Sequence, residues 1–174
     1  MALHIVLHEP EIPANTGNIG RTCAASGASL HLIEPFGFIL SKKTIRRAGL
    51  DYWDRLDVKK YIDYSDFLEK THLFDPAESG PHLWFATTKG RRLYTEADFG
   101  PDDYIMFGKE SAGIPEEILM AHPEHCIRIP MLPETRSLNL SNSVAIVLYE
   151  ALRQNGFAGM QTEGQLHEHR WEDR

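Results

Sequence analysis

The 174-residue chain predicts an α/β domain, a mostly parallel sheet flanked by helices. Two observations carry this reading. Short apolar runs of strand length alternate with segments whose apolar residues recur at helical spacing. Three of those runs lead directly into glycine- or polar-rich connections, the places where open α/β sheets bind ligands.

Residues 3–7 are the first apolar run and predict a buried strand; the start lacks the basic region and cleavage site of a signal peptide. Asn15-Thr16-Gly17-Asn18 offers turn and cap chemistry ahead of a helix over residues 19–28. Ser29-Leu30-His31-Leu32-Ile33 reads as a second strand, ended by Glu34-Pro35. Residues 41–49 read as a basic helix with a glycine stop, and 64–72 as another helix. Residues 82–87, 103–107 and 126–129 supply the third, fourth and fifth strands. Between the last two lies a short helix over 114–121, with Pro115 near its first turn.

The final helix is the clearest. Val144, Val147, Leu148, Ala151 and Leu152 fall on one stripe, Gly156 stops it, and the stripe is the expected helix interface of a dimer. Residues 75–81 read as a turn-rich surface loop. Residues 1–159 read as one domain, and 160–174 as a flexible tail.

An apolar fraction of 42% and a charged fraction of 25% are those of a globular protein. No apolar run reaches the roughly 20 residues that span a bilayer. Cys23 and Cys126 make neither a disulfide framework nor a metal-ligand spacing, so buried reduced thiols and a cytoplasmic location are expected. His4, His8 and His31 lie on or beside strands and are expected to be packed or hydrogen-bonded, and His167-x-His169 to be solvated tail. The net charge of −7 runs against nucleic-acid binding. Residues 41–60, however, hold seven cations and three anions, and local potential governs phosphate contact. Lys42, Lys43, Arg46 and Arg47 are therefore candidate RNA contacts.

Three segments carry the candidate chemistry. Asn15-Thr16-Gly17-Asn18-Ile19-Gly20-Arg21 has two glycines that admit close backbone approach and an arginine one turn into the helix. Phe107-Gly108-Lys109-Glu110-Ser111-Ala112-Gly113 ends a strand in exposed backbone amides suited to a small ligand, and is not a Walker loop. Ile129-Pro130-Met131 is followed by Arg136-Ser137-Leu138-Asn139-Leu140-Ser141-Asn142-Ser143. That is more polar side chains than a helix cap requires, and they need partners.

In this order and spacing the segments resemble the three signature motifs of the SPOUT class of RNA methyltransferases. The first resembles its Asn…Arg motif, the second Gly-x-Glu-x-x-Gly, and the third Ile-Pro-Met…Ser-Leu-Asn-x-Ser. His8-Glu9-Pro10-Glu11-Ile12-Pro13, Leu32-Ile33-Glu34-Pro35, Arg46-Arg47-Ala48-Gly49-Leu50-Asp51-Tyr52 and Tyr149-Glu150-Ala151 resemble the small single-domain branch, the tRNA (cytidine/uridine-34-2'-O)-methyltransferases. The likeness runs from about Leu3 to Gly159.

The resemblance implies a C-terminal trefoil knot, a homodimer whose partner completes each site, S-adenosylmethionine as cofactor, and no metal. It implies 2'-O-methylation of nucleotide 34 in the anticodon loop of certain tRNAs, leucine tRNAs foremost. The cofactor would lie against Ala86, Gly108, Ile129, Ser137 and Leu138. Arg21 would contact the phosphate and the 2'-oxygen, with Asn15, Glu110, Ser137 and Asn139 orienting it and the sugar. A guanidinium is a poor base at neutral pH, so positioning and charge stabilisation fit Arg21 better than proton abstraction. Lys109 and Ala112 stand where relatives more often carry proline and arginine. Methylation of another RNA position, and a non-catalytic RNA-binding module, are the rival readings.

Overall fold

The computed structural model describes residues 2–39, 56–74 and 80–171. Its centre is a seven-stranded sheet of β1 (His4–His8), β2 (Ser29–Ile33), β3 (Val58–Tyr61), β4 (Leu83–Ala86), β5 (Arg92–Leu93), β6 (Tyr104–Phe107) and β7 (Cys126–Arg128). The strand order is β3-β2-β1-β6-β4-β7-β5 and every pairing is parallel. Among the described residues four α-helices flank it: α1 (Pro13–Ser26), α2 (Tyr64–Thr71), α3 (Glu116–Ala121) and α4 (Leu140–Gln154).

Strand alternation builds two cores. Ile5, Leu7, Ile105 and Phe107 pack with Ile19 and Cys23 of α1 and Val144, Val147, Leu148 and Ala151 of α4. Val6, Tyr104 and Met106 turn to the other face, against Phe67 of α2 and Leu119 of α3. Burial on both faces explains why β1 and β6 read as unbroken apolar runs. The α4 stripe expected at a dimer interface instead packs inside its own chain, because α4 lies over α1 and the sheet.

The five strands read from sequence are present, and β3 and β5 are additions. β3 carries the exposed Lys59 and Lys60 on a sheet edge, and β5 is only two residues long. The helix expected from residue 19 begins at Pro13. Proline presets the first helical position, and Ile12, the residue before it, has no side-chain cap to offer. The carboxylate of Glu110, on another loop, holds the segment that enters the helix, accepting from the amides of Glu11 (2.9 Å) and Ile12 (3.3 Å). Asn15 therefore lies inside the first turn, buried, and not at the cap.

Cys23 and Cys126 are buried free thiols, and burial pushes the Cys23 thiol up to about 12. His31 is fully buried, with Nε2 3.0 Å from His4 Nδ1 and Nδ1 2.8 Å from the Tyr61 hydroxyl. The basic segment 41–49, with Lys42, Lys43, Arg46 and Arg47, lies outside the described residues. Residues 160–171 contain no helix or strand.

Candidate active site

The carboxyl ends of β1, β4, β6 and β7 open into a cavity of about 450 Å³. Ala86, Gly108, Ile129, Ser137 and Leu138, the five residues expected to hold the cofactor, all line it. So do Asn15, Glu110 and Asn139. Residues far apart in sequence meet here because the strands are parallel and each hands its following loop to the same edge.

Backbone meets backbone at two glycines. A Cβ on Gly108 would stand 2.0 Å from the carbonyl carbon of Gly113 and 2.1 Å from the amide nitrogen of Ile114. A Cβ on Gly90, in the loop after β4, would stand 2.9 Å from the carbonyl carbon of Ile127 in β7. Glycine lets the loop after β6 fold back on itself at Gly108 and the loop after β4 lie against β7 at Gly90.

Three polar side chains join the three segments. Asn15 Nδ2 donates to Glu110 Oε1 at 3.0 Å, and Asn139 Nδ2 donates to Asn15 Oδ1 at 3.0 Å. The remaining oxygen of Asn139 caps α4, accepting from the Ser141 amide (2.9 Å), the Ser141 hydroxyl (2.7 Å) and the Asn142 amide (3.4 Å). The surplus of polar groups before α4 is thus partly a cap and partly a link to α1. Each amide's oxygen and nitrogen is assigned by this network, since reversing either one would set like groups against each other.

The neighbouring residues hold the loops together. Glu11 accepts from the Ser111 amide and hydroxyl, both at 2.8 Å, and these bonds hold its carboxyl below the usual range. Lys109 Nζ pairs with Glu9 at 2.8 Å, which raises the lysine. The sequence had marked Lys109 only as a departure; here it lines the cavity and ties the loop after β6 to the loop after β1. Glu9 and Glu11 were quoted in a motif without a role, and nothing in their local pattern announced partners 100 residues away.

Arg21 is the one expected catalytic residue that the cavity lining does not include. It is exposed on α1 and does not line the cavity of its own chain. Six residues separate it from Asn15, which turns it roughly 120° around the helix. Ser137 lines the cavity and is exposed at its rim. His122, Glu124 and His125, unremarked in the sequence, bring one ligand atom each within 4.8 Å of one another, outside the cavity lining. Among the described residues no helix is long and apolar enough to cross a membrane.

With this geometry in hand, comparison with known proteins is specific. Residues 2–149 match the model of the SpoU rRNA methylase family. The tRNA (cytidine(34)-2'-O)-methyltransferase of Escherichia coli K12 is 51% identical over 158 residues, spanning 90% of this chain and 96% of that one. A solved structure described as giving structural insights into 2-OH methylation of C/U34 on tRNA superposes with a TM-score of 0.80 at 44% identity, covering 89% of this chain and 97% of that chain. The AdoMet-bound rRNA methyltransferase of Sinorhizobium meliloti superposes with a TM-score of 0.74 at 26% identity, covering 87% of this chain and 56% of that one. The joining of three loop segments around one cavity at the carboxyl edge of a parallel sheet therefore has a family, and this chain belongs to the SpoU rRNA methylase family of SPOUT methyltransferases.

Proposed function

We propose that the chain is a tRNA 2'-O-methyltransferase acting on the ribose of nucleotide 34, with leucine tRNAs as the expected substrates and the cytoplasm as its location. The observation that carries this is the Glu110–Asn15–Asn139 relay across the mouth of a cavity lined by every residue expected to hold the cofactor. High identity over nearly the full length of a cytidine-34 enzyme supports the choice of nucleotide. The rRNA enzyme of Sinorhizobium is more distant, and this chain spans only 56% of it, which weighs against an rRNA substrate.

The cavity suits S-adenosylmethionine. Phe107, Ile129, Met131 and Leu138 offer apolar contact, and Thr87 and Ser137 offer hydrogen bonds. When bound, that cofactor supplies an electrophilic methyl carbon on sulfur and leaves as S-adenosylhomocysteine. Held against Ala86, Gly108, Ile129, Ser137 and Leu138, it would offer that methyl group to the ribose 2'-oxygen, whose proton would leave to solvent. Asn15, Glu110 and Asn139 fix the sugar side of the site, because their polar atoms already hold one another in place. Arg21 stabilises charge on the 2'-oxygen and the adjacent phosphate.

Arg21 lies outside its own cavity, which supports a homodimer in which Arg21 of a second copy completes the site. Ile12, Ile146 and Tyr149, exposed on α1's entry and on α4, offer that copy an apolar contact. The loops at 87–90, 108–113 and 129–139 form the trefoil knot in this reading, which the close backbone approach of Gly90 to Ile127 supports.

The test is transfer of labelled methyl to purified leucine tRNA in the presence of a chelator, with the product mapped by mass spectrometry. A 2'-O-methyl group at nucleotide 34 is expected. Methylation at another position, or a strict magnesium requirement for the chemistry, rejects the reading.

A further inference from the structure

We propose that Glu11 is a positioning residue, whose clasp on Ser111 sets the Glu110–Asn15 contact and so the geometry of methyl transfer. The inference rests on the reading of the chain as a ribose methyltransferase. Its physical basis is a reciprocal exchange between two loops. The loop after β1 gives its Glu11 amide to the Glu110 carboxylate at 2.9 Å, and the loop after β6 gives its Ser111 amide and hydroxyl to the Glu11 carboxylate, each at 2.8 Å. Adjacent residues in each loop thus grip adjacent residues in the other, and the Lys109–Glu9 pair closes the same seam at 2.8 Å.

The clasp sits where it bears on chemistry more than on stability. Glu11 and Ser111 are solvent-accessible, whereas the apolar cores lie beneath them on the sheet faces. Hydrogen bonds in such an open setting add little to folding. Ile12, Asn15, Lys109, Glu110 and Ser111 all line the cavity. Releasing Ser111 frees the backbone on one side of Glu110, whose carboxylate is the only link in the relay between the β6 loop and Asn15 that the described hydrogen bonds supply. Misplacement of catalytic groups by about 1 Å can cost on the order of a hundredfold in rate.

The test compares Glu11→Ala, Glu11→Gln and Ser111→Ala with the parent dimer. Glu11→Gln keeps an oxygen for the Ser111 amide, and the serine hydroxyl can turn to accept from the new NH2. Glu11→Ala is expected to lower kcat by about tenfold or more, with cofactor Kd within about threefold and melting temperature nearly unchanged. Ser111→Ala should lose less, and Glu11→Gln should recover most of the rate. A second readout is independent of activity: the side-chain amide NMR resonances of Asn15 and Asn139 should shift and broaden in Glu11→Ala and return in Glu11→Gln. Unmoved resonances overturn the clasp even if the protein methylates nothing. Shifted resonances beside an inactive parent would uphold the clasp and reject the activity. An unchanged kcat in Glu11→Ala, or equal losses in Ala and Gln variants alongside a large fall in melting temperature, also overturns it.

Discussion

Asn139 Nδ2 lies 3.0 Å from Asn15 Oδ1, a bond between residues 124 positions apart that joins the start of α4 to the first turn of α1. The same Asn139 caps α4 with its oxygen. One side chain therefore serves the fold and the site together, and substitution separates the two. Asn139→Asp keeps the capping oxygen and loses the donor to Asn15. It should melt close to the parent yet turn over at least about tenfold more slowly. Asn139→Ala should additionally lose about 1 kcal/mol of stability as the cap goes. Thermal denaturation beside single-turnover kinetics checks both; equal turnover in the parent and the Asp variant would remove Asn139 from the chemistry.

His31 makes stability depend on pH. Burial, with the charges on His4 and Lys59 next, depresses it to about 3, while Asp57 acts weakly the other way. A base whose folded value lies below its ordinary 6.5 binds a proton more readily when unfolded. Its contribution is complete above about pH 6.5 and is lost as pH falls toward 3, by up to about 1.4 kcal/mol per pH unit. His4 and His8 are lowered as well and add to the same acid limb. Urea unfolding between pH 7 and 4.5 should show the decline, and His31→Gln should flatten it by up to one proton. An unchanged slope in that variant assigns the acid sensitivity elsewhere.

Gly108 has no tolerance for a side chain, because the atoms its Cβ would strike belong to the Gly113–Ile114 backbone. Gly108→Ala must unfold the tight turn of residues 108–114, which lines the cavity. Cofactor affinity by calorimetry is expected to fall at least about tenfold, or the protein to misfold. Gly164→Ala, where nothing stands within 4 Å, is the silent control.

How much of this was legible depended on where each signal resides. The buried strands announced themselves, since a strand covered on both faces must be apolar throughout. β3 did not, because Val58-Lys59-Lys60-Tyr61 is an edge strand whose charges face solvent. The start of α1 differs from the reading because the helix opens at Pro13 with no side-chain cap, and the chain entering it is held by Glu110, nearly 100 residues downstream. Four of the five candidate catalytic residues line one cavity, yet their mutual bonds join loops that only the parallel topology brings together. Arg21 matched its motif and still lies outside that cavity, since one helix cannot aim both Asn15 and Arg21 at the same point.

Arg21 and the lysine pair Lys42 and Lys43 should therefore fail differently. Arg21→Ala leaves the cavity wall intact, so S-adenosylmethionine affinity should change little while turnover falls by about a hundredfold or more, as expected for one lost charge-stabilising donor. Mixing Arg21→Ala subunits with subunits carrying Asn139→Asp provides the sharper form. If Arg21 acts across a dimer, half of the sites in a mixed dimer receive both defects and the other half receive neither. Activity of the isolated mixed dimer should then recover toward half of the parent value. If Arg21 acts within its own chain, every site keeps one defect and no recovery occurs. Neutralising Lys42 and Lys43 tests the proposed phosphate contacts separately. tRNA binding should weaken and its dependence on salt become shallower, while transfer at saturating tRNA largely survives. Normal turnover by Arg21→Ala, or loss of cofactor binding in the lysine variant, would reverse the roles assigned to these two regions.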